Sequence, residues 1–166
     1  MKKIISGLFL ATTTLFYAQE SFTGRDDQRA YVGVNFQDGG TGISAGADYG
    51  LGESISVGVQ AGYLLSAKLV GEKKAKFGDR IDIKGRFNVH LGRVLNIPSP
   101  IDIYPGLDLS LKNFGAHVGA RYFFKRGVGI YSEIGFPIAR YNSSPKIYDY
   151  LNNQFNFQVG VAFDLN

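Results

Sequence analysis

Asp79–Gly92 reads DRIDIKGRFNVHLG, and its alternate residues fall into two unlike sets. Ile81, Ile83, Gly85, Phe87, Val89 and Leu91 are apolar or small, whereas Asp82, Lys84, Arg86, Asn88, His90 and Gly92 are polar, charged or small. A period of two places the sets on opposite faces of an extended strand. Such a strand can lay its apolar face on a core and its polar face in water. It can equally turn the apolar face to lipid and line a barrel interior with the charged one. The choice depends on whether the rest of the chain repeats the pattern and on what precedes it.

The pattern repeats about eight times, separated by turn signals. Ala30, Val32, Val34 and Phe36 alternate with Tyr31, Gly33 and Asn35, and Gln37–Gly42 (QDGGTG) reads as a turn. Ile43 to Leu51 then alternates with Ser44, Gly46, Asp48 and Gly50, and Gly50–Glu53 turns tightly into a third strand. In that strand Ile55, Val57, Val59, Ala61, Tyr63 and Leu65 oppose Ser56, Gly58, Gln60, Gly62 and Leu64, with Leu64 breaking the polar rule. A basic loop, Lys68–Gly78, leads into the quoted stretch, and Arg93–Ser99 leads out of it. The fifth strand sets Ile101, Ile103, Leu107, Leu109 and Leu111 against Asp102, Tyr104, Gly106, Asp108 and Ser110. Pro105 interrupts it without a ladder donor and is expected to mark a bulge. Phe114–Phe124 and Val128–Ile138 continue the alternation, with inward His117, Arg121, Phe123, Tyr131 and Glu133 and a weak point at Pro137. After a Tyr-rich loop, Arg140–Asn153, the last strand runs to Leu165, with Asp164 on its polar face.

The amino end has the form of a secretory signal. Lys2 and Lys3 precede an apolar run from Ile4 to Tyr17, and Ala18 is the expected last residue before cleavage. The expected organisation is therefore a signal peptide over residues 1–18, a short polar leader over 19–29 and one domain over 30–166. Loss of Lys2 and Lys3 takes two positive charges from the formal +4, leaving no basic excess that would suggest nucleic-acid binding. The absence of Cys excludes disulfides, a lipidated Cys anchor and Cys-based chemistry. Beyond residue 18 no apolar run approaches the roughly 18 residues of a membrane helix, but barrel strands of about 9–11 residues need none. Twenty-two Gly, 13 Phe, ten Tyr and a mean hydropathy of −0.04 suit such strands.

Which face carries the load separates a membrane barrel from a soluble lipocalin-like binder, which gathers apolar residues inward around a ligand. Here the apolar faces carry bulky Phe and Tyr near strand ends, as interfacial girdles do. The polar faces are rich in Gly and in charges of both signs, which suit a narrow filled interior. With an even strand number both termini share the inner side of the membrane. The second and sixth connections are tight, and the first, third and seventh are expected to face outward and to be longer or more polar. Arg93–Ser99 is long for an inner turn, and Lys112–Asn113 is short for an outer loop.

Signal, eight alternating strands and short turns together resemble the small outer-membrane β-barrel proteins of Gram-negative bacteria, of the OmpX or OmpA-membrane-domain type. The resemblance covers nearly the whole mature chain and is architectural. It implies residence in the outer membrane, insertion by the barrel-assembly machinery and contact with lipid and lipopolysaccharide. Members of that group commonly end in an aromatic assembly signal. Here the aromatic is displaced inward, to Phe163 of Phe163-Asp164-Leu165-Asn166. The resemblance supplies no single function, since such proteins serve as adhesins, anchors, lipid-modifying enzymes and narrow pores.

The inward charges Asp48, Asp82, Lys84, Arg86, Asp102, Asp108, Arg121 and Glu133 are expected to form an ionic network that plugs the lumen. His90 and His117 also fall inward. Ser132 and Glu133 are adjacent and so on opposite faces, which argues against a Ser–His–Glu triad reaching the lipid. Two His without Cys give no expected metal site, and no cofactor or catalytic residue is assigned. Gly39–Gly46 (GGTGISAG) lacks the Lys-Ser/Thr and the helix of a phosphate loop. Lys68, Lys73, Lys74 and Lys76 near a membrane surface could meet lipopolysaccharide phosphates. The Tyr-rich loop offers an adhesive surface, and Asn142-Ser143-Ser144 fits a glycosylation sequon. The expectation is a monomeric, non-enzymatic, eight-stranded antiparallel barrel of the outer membrane with a structural or surface-contact role. A narrow porin or a soluble periplasmic binder are the alternatives.

Overall fold

In a computed structural model, described for residues 21–68, 74–124, 127–141, 148 and 150–166, eight antiparallel strands close into a barrel in sequence order. They are β1 (Gln28–Gln37), β2 (Gly40–Gly50), β3 (Ile55–Ala67), β4 (Ile81–Val89), β5 (Ile101–Ser110), β6 (Asn113–Phe123), β7 (Val128–Arg140) and β8 (Asn156–Asp164). Closure is made by β1 against β8, from Arg29↔Asp164 to Gln37↔Asn156. Both ends of the described chain, and the connections β2–β3, β4–β5 and β6–β7, lie at one mouth, called here the terminal mouth. The remaining connections lie at the loop mouth. The expected signal segment, Lys73 and Asn142-Ser143-Ser144 fall outside the described residues.

The two faces are disposed as the alternation requires. Val59 (62% exposed), Leu109 (63%), Ile43, Ile83, Ile130 and Val161 face outward, while Asp48, Arg86, Asp102, Asp108, Arg121 and Glu133 are buried inside. Outward aromatics gather toward both rims: Tyr49, Tyr122 and Phe124 toward the terminal mouth, and Phe36, Phe155 and Phe157 toward the loop mouth.

Several expectations of detail are corrected. The quoted stretch is strand only from Ile81 to Val89. Asp79 and Arg80 belong to a one-turn helix α1 (Phe77–Arg80), because the Asp79 carboxylate accepts a hydrogen bond from the Lys76 amide at 2.8 Å and caps the turn. His90–Gly92 lie beyond the strand. The first connection is not a turn over Gln37–Gly42 but the two residues Asp38 and Gly39, since Gln37 ends β1 and Gly40–Gly42 already belong to β2. Gly39 makes that tight reversal with φ of +76°, a region that costs Gly nothing.

Pro105 makes no bulge: β5 keeps unbroken register against β6, with Pro105 opposite Val118. Ile103 O accepts from Leu91 N at 2.9 Å, so Pro105, two residues on, turns its backbone to the same β4 side. There the continuous pairing stops at Asn88↔Gly106, one position before Pro105, and the bond from Leu91 N resumes the same register beyond it, so the missing donor costs one ladder position without a bulge. The irregularities fall instead between Thr41 and Gly42 on the β3 side, and between Phe114 and Gly115, opposite Pro137.

The core is the lumen. Tyr31, Phe123, Tyr131 and Ala162 form one apolar cluster within it. Leu64 breaks the polar rule because it meets Tyr148 and Leu151 of the last loop, forming a second cluster across the loop mouth. Inward glycines make room for the tyrosines, and a Cβ at Gly119 would lie within clashing distance of Cζ of Tyr104. Gly85 faces outward and has only the Leu109 carbonyl oxygen near, at 3.9 Å. Gly119→Ala is therefore expected to destabilise the folded barrel by about 1–3 kcal/mol through overpacking. Gly85→Ala should stay within about 0.5 kcal/mol. Urea midpoints of refolded protein in micelles check the contrast.

Candidate functional site: the lumen and its two mouths

Inward residues of eight strands converge on a narrow tube, so their side chains must satisfy one another. Arg86 of β4 is the central cation, with a fully buried side chain. It donates to Glu133 Oε2 of β7 at 2.6 Å and to the Tyr31 hydroxyl at 2.5 Å, and its Nε lies 3.5 Å from Asp108. The Tyr104 hydroxyl donates to the same Glu133 oxygen at 3.3 Å. Arg121 of β6 pairs with Asp48 of β2 across the lumen and lies 4.2 Å above the Tyr104 ring. Lys84 lies 3.9 Å from both Asp82 and Asp108.

The expected charge set is thus brought inside, but not as one strand-to-strand ladder. Asp102 and Arg121 are Cα partners, yet their side chains part company. Arg121 crosses to Asp48, and Asp102 turns to His90 Nδ1 at 2.7 Å. His90 Nε2 in turn faces Ser56 Oγ at 2.9 Å. Asn88 Nδ2 donates to that same oxygen at 3.0 Å, and Asn88 Oδ1 faces His117 Nε2 at 2.8 Å. The other His117 nitrogen lies 3.0 Å from Asp108. Ser56, Asn88, Tyr31 and Tyr104 join the network unannounced by the sequence, since a polar residue at an inward position does not reveal its partner across the barrel. Nearer the loop mouth, Ser44, Gln60 and Gln158 bond one another without charge. The cavity beside them, lined by Gln37, Gln60, Asp82, Lys84 and Asn152, is only about 10 Å³.

The leader closes the terminal mouth. Ser21 N donates to Ser99 O at 2.7 Å, and the Phe22 ring stacks on His90, centroid to centroid at 3.5 Å and 7° from parallel. Asp27 receives Arg29 at 2.6 Å and both the amide and hydroxyl of Thr23 at 2.7 Å, while Arg29 also reaches Asp164 at 3.0 Å. Beside Phe22 and His90 lies a cleft of about 320 Å³, open toward the terminal side. At the loop mouth, Asn152 donates to Arg80 O at 3.2 Å and Asn113 Nδ2 to Asn152 O at 2.9 Å, holding the described part of the last loop down. On the rim above, Lys68 meets Asp38 at 3.4 Å, and Lys74 and Lys76 are exposed. Among the described residues no cluster of His, Asp and Glu has the geometry to hold a metal.

Two consequences are measurable. Glu133→Leu leaves Arg86 buried with Asp108 as its remaining carboxylate, at an expected cost of about 3–5 kcal/mol. Adding Arg86→Met should recover most of that loss, and urea unfolding of the single and double variants measures both. At the terminal mouth, burial pushes the Asp27 carboxyl up, but bonds from Arg29 and Thr23 outweigh it and hold the group below its ordinary value of 3.8. A group depressed on folding stabilises at pH above that ordinary value, and its contribution vanishes as pH falls through the lowered one. Amide protection at Thr23 and Asp27 should accordingly fall in acid before protection of the strands does.

The comparisons with known proteins bear on this architecture. The solution NMR structure of the de novo designed TMB2.3 is similar, with a TM-score of 0.52 and 17% identity, covering 86% of this chain and 97% of that one. At that identity the likeness concerns the fold alone. No curated protein matches the sequence. The family match extends over residues 12–165, through every strand of the barrel. The chain belongs to the family described as a family of unknown function, DUF6646.

Proposed function

We propose that the chain is a monomeric outer-membrane barrel with a sealed lumen, serving the membrane's structure and surface contacts rather than transport. The observation that carries this reading is the outward belt. Val59, Leu65, Leu109 and Ile138 are each more than half exposed, on the outward face of a closed barrel whose charges Asp48, Arg86, Asp102, Asp108, Arg121 and Glu133 are buried inside. Water-soluble monomers rarely expose contiguous apolar patches beyond a few hundred Å². A bilayer instead requires such a surface, together with the absence of free sheet edges. A soluble lipocalin-like binder would need the reverse arrangement. The likeness to TMB2.3, a designed transmembrane barrel, accords with this reading.

A pore is the less favoured role. A buried water needs about 10–15 Å³, and the cavity lined by Gln37, Gln60, Lys84 and Asn152 near the loop mouth holds about 10 Å³. Arg86 and Arg121 block the middle with their pairs, and loop and leader cover the mouths. External contact then falls to the loop mouth. There Lys68, Lys74 and Lys76, with Lys73 beside them in sequence, would meet lipopolysaccharide phosphates as point charges. The barrel-assembly machinery would be the partner for insertion.

The refolded mature chain is expected to migrate differently unboiled and boiled, to partition with membranes, and to remain electrically silent in a planar bilayer. Reproducible conductance steps would overturn the sealed lumen, and release with the periplasmic contents would overturn the location. Val59→Arg, at the middle of β3, should destabilise the inserted barrel by about 2–4 kcal/mol, whereas Val59→Leu should not. Refolding titrations into lipid vesicles measure the difference.

A further inference from the structure

Just inside the terminal mouth, Ser56, His90 and Asp102 stand in line. A carboxylate can only accept, so Asp102 fixes the proton of a neutral His90 on Nδ1, at 2.7 Å. That leaves Nε2 as an acceptor facing Ser56 Oγ at 2.9 Å. The second donor at Ser56, Asn88 Nδ2 at 3.0 Å, occupies an Oγ lone pair, which directs the serine proton to His90. Nucleophile, base and orienting acid are thereby set in the relation that acyl-transfer catalysis uses. They come from three strand ends, the start of β3, the residue after β4 and the start of β5, so the grouping is made by the pairing of three neighbouring strands. A merely space-filling set would not need the adjacent opening. Here a cleft of about 320 Å³ reaches His90 and Asp102, walled by Ile97 and Pro98 with Arg93 at its side. Ser56 itself is fully buried, and the ring of Phe22 lies flat over His90.

We propose that Ser56, His90 and Asp102 form a latent ester-cleaving centre, kept closed by the leader residue Phe22. Its substrate class is a small carboxylic ester entering from the terminal side, its apolar part against Ile97 and Pro98. With Phe22 displaced, Ser56 Oγ attacks the ester carbonyl and its proton passes to His90 Nε2. The tetrahedral oxyanion lies near Asn88 Nδ2, the side-chain donor closest to Oγ. Collapse breaks the ester C–O bond, and His90 returns the proton to the departing alcohol, leaving an acyl-Ser56. Water, deprotonated by His90, then releases the acid and restores the serine. Asp102 acts through His90 as a positioning residue. This inference is independent of which membrane holds the barrel.

The test is fluorophosphonate labelling of the refolded mature chain in micelles, with the adduct located by peptide mass and folding followed by heat-modifiable migration. Phe22→Ala is expected to label on Ser56 well above the intact chain, and Phe22→Ala/Ser56→Ala to lose the label. Adding Asp102→Asn should slow labelling on the order of 10²-fold or more while migration stays native, and Asp102→Glu should restore part of the rate. If Phe22→Ala does not fold, Phe22→Leu is read in the same way. A folded Phe22 variant that takes no label, or a label that survives Ser56→Ala, overturns the proposal. Hydrolysis of p-nitrophenyl acetate by the opened variant, lost with Ser56→Ala, extends the result from labelling to turnover.

Discussion

With β1 paired to β8 from Arg29↔Asp164 to Gln37↔Asn156, every strand has two neighbours and the sheet has no free edge. Backbone donors and acceptors are then satisfied laterally, which is the condition for exposing a sheet to an apolar solvent. Closure also divides the side chains strictly into inside and outside, because a residue cannot change face without a bulge. The apolar belt and the charged lumen are therefore one fact seen from two sides. The two register shifts, between Thr41 and Gly42 and between Phe114 and Gly115, lie near the loop mouth and leave the middle of the barrel undisturbed.

A tube this narrow must be filled, and how it is filled follows from the cost of burying charge. Desolvating Arg86 or Arg121 alone would be prohibitive, so each has a carboxylate and an aromatic face. The tyrosines serve twice, as ring platforms for the guanidiniums and as hydroxyl partners for Arg86 and Glu133. Their bulk in turn demands inward glycine, as at Gly119 beneath Tyr104. Such interlocked polar networks specify one arrangement strongly, because a partner removed leaves an unsatisfied group with no route to water.

The eight strands and their facing were legible in the sequence because both depend on a local period of two. Leu64 stood out as an exception, and its reason lies in Tyr148 and Leu151, far along the chain. Partner choice was not legible. Asp102 and Arg121 oppose each other in register, yet one bonds His90 and the other Asp48, since reach across the lumen outcompetes adjacency in the sheet. Ser56 read as an ordinary small inward residue, because nothing local tells that His90 will meet it. Pro105 misled for a related reason: which neighbour its missing donor faces is a property of the assembled sheet. The length of the first turn was misjudged because glycines on either side of a reversal look like loop, although only Gly39 there has positive φ.

The contacts at the two mouths differ in chemistry, and this gives the molecule a direction. At the loop mouth the closure is apolar, Leu64 with Tyr148 and Leu151, reinforced by asparagine bonds to backbone oxygens. None of those contacts depends on an ionised group, so acid or salt should leave them in place. At the terminal mouth the leader is tied by Asp27 to Arg29 and Thr23, with one ring, Phe22, laid over His90. Backbone bonds of Asp26 and Asp27 to Gly50 and of Ser21 to Ser99 add to this tie, so the acid-sensitive part of that closure is the Asp27 carboxylate. The leader is also the side on which the cleft and the Ser56–His90–Asp102 line lie.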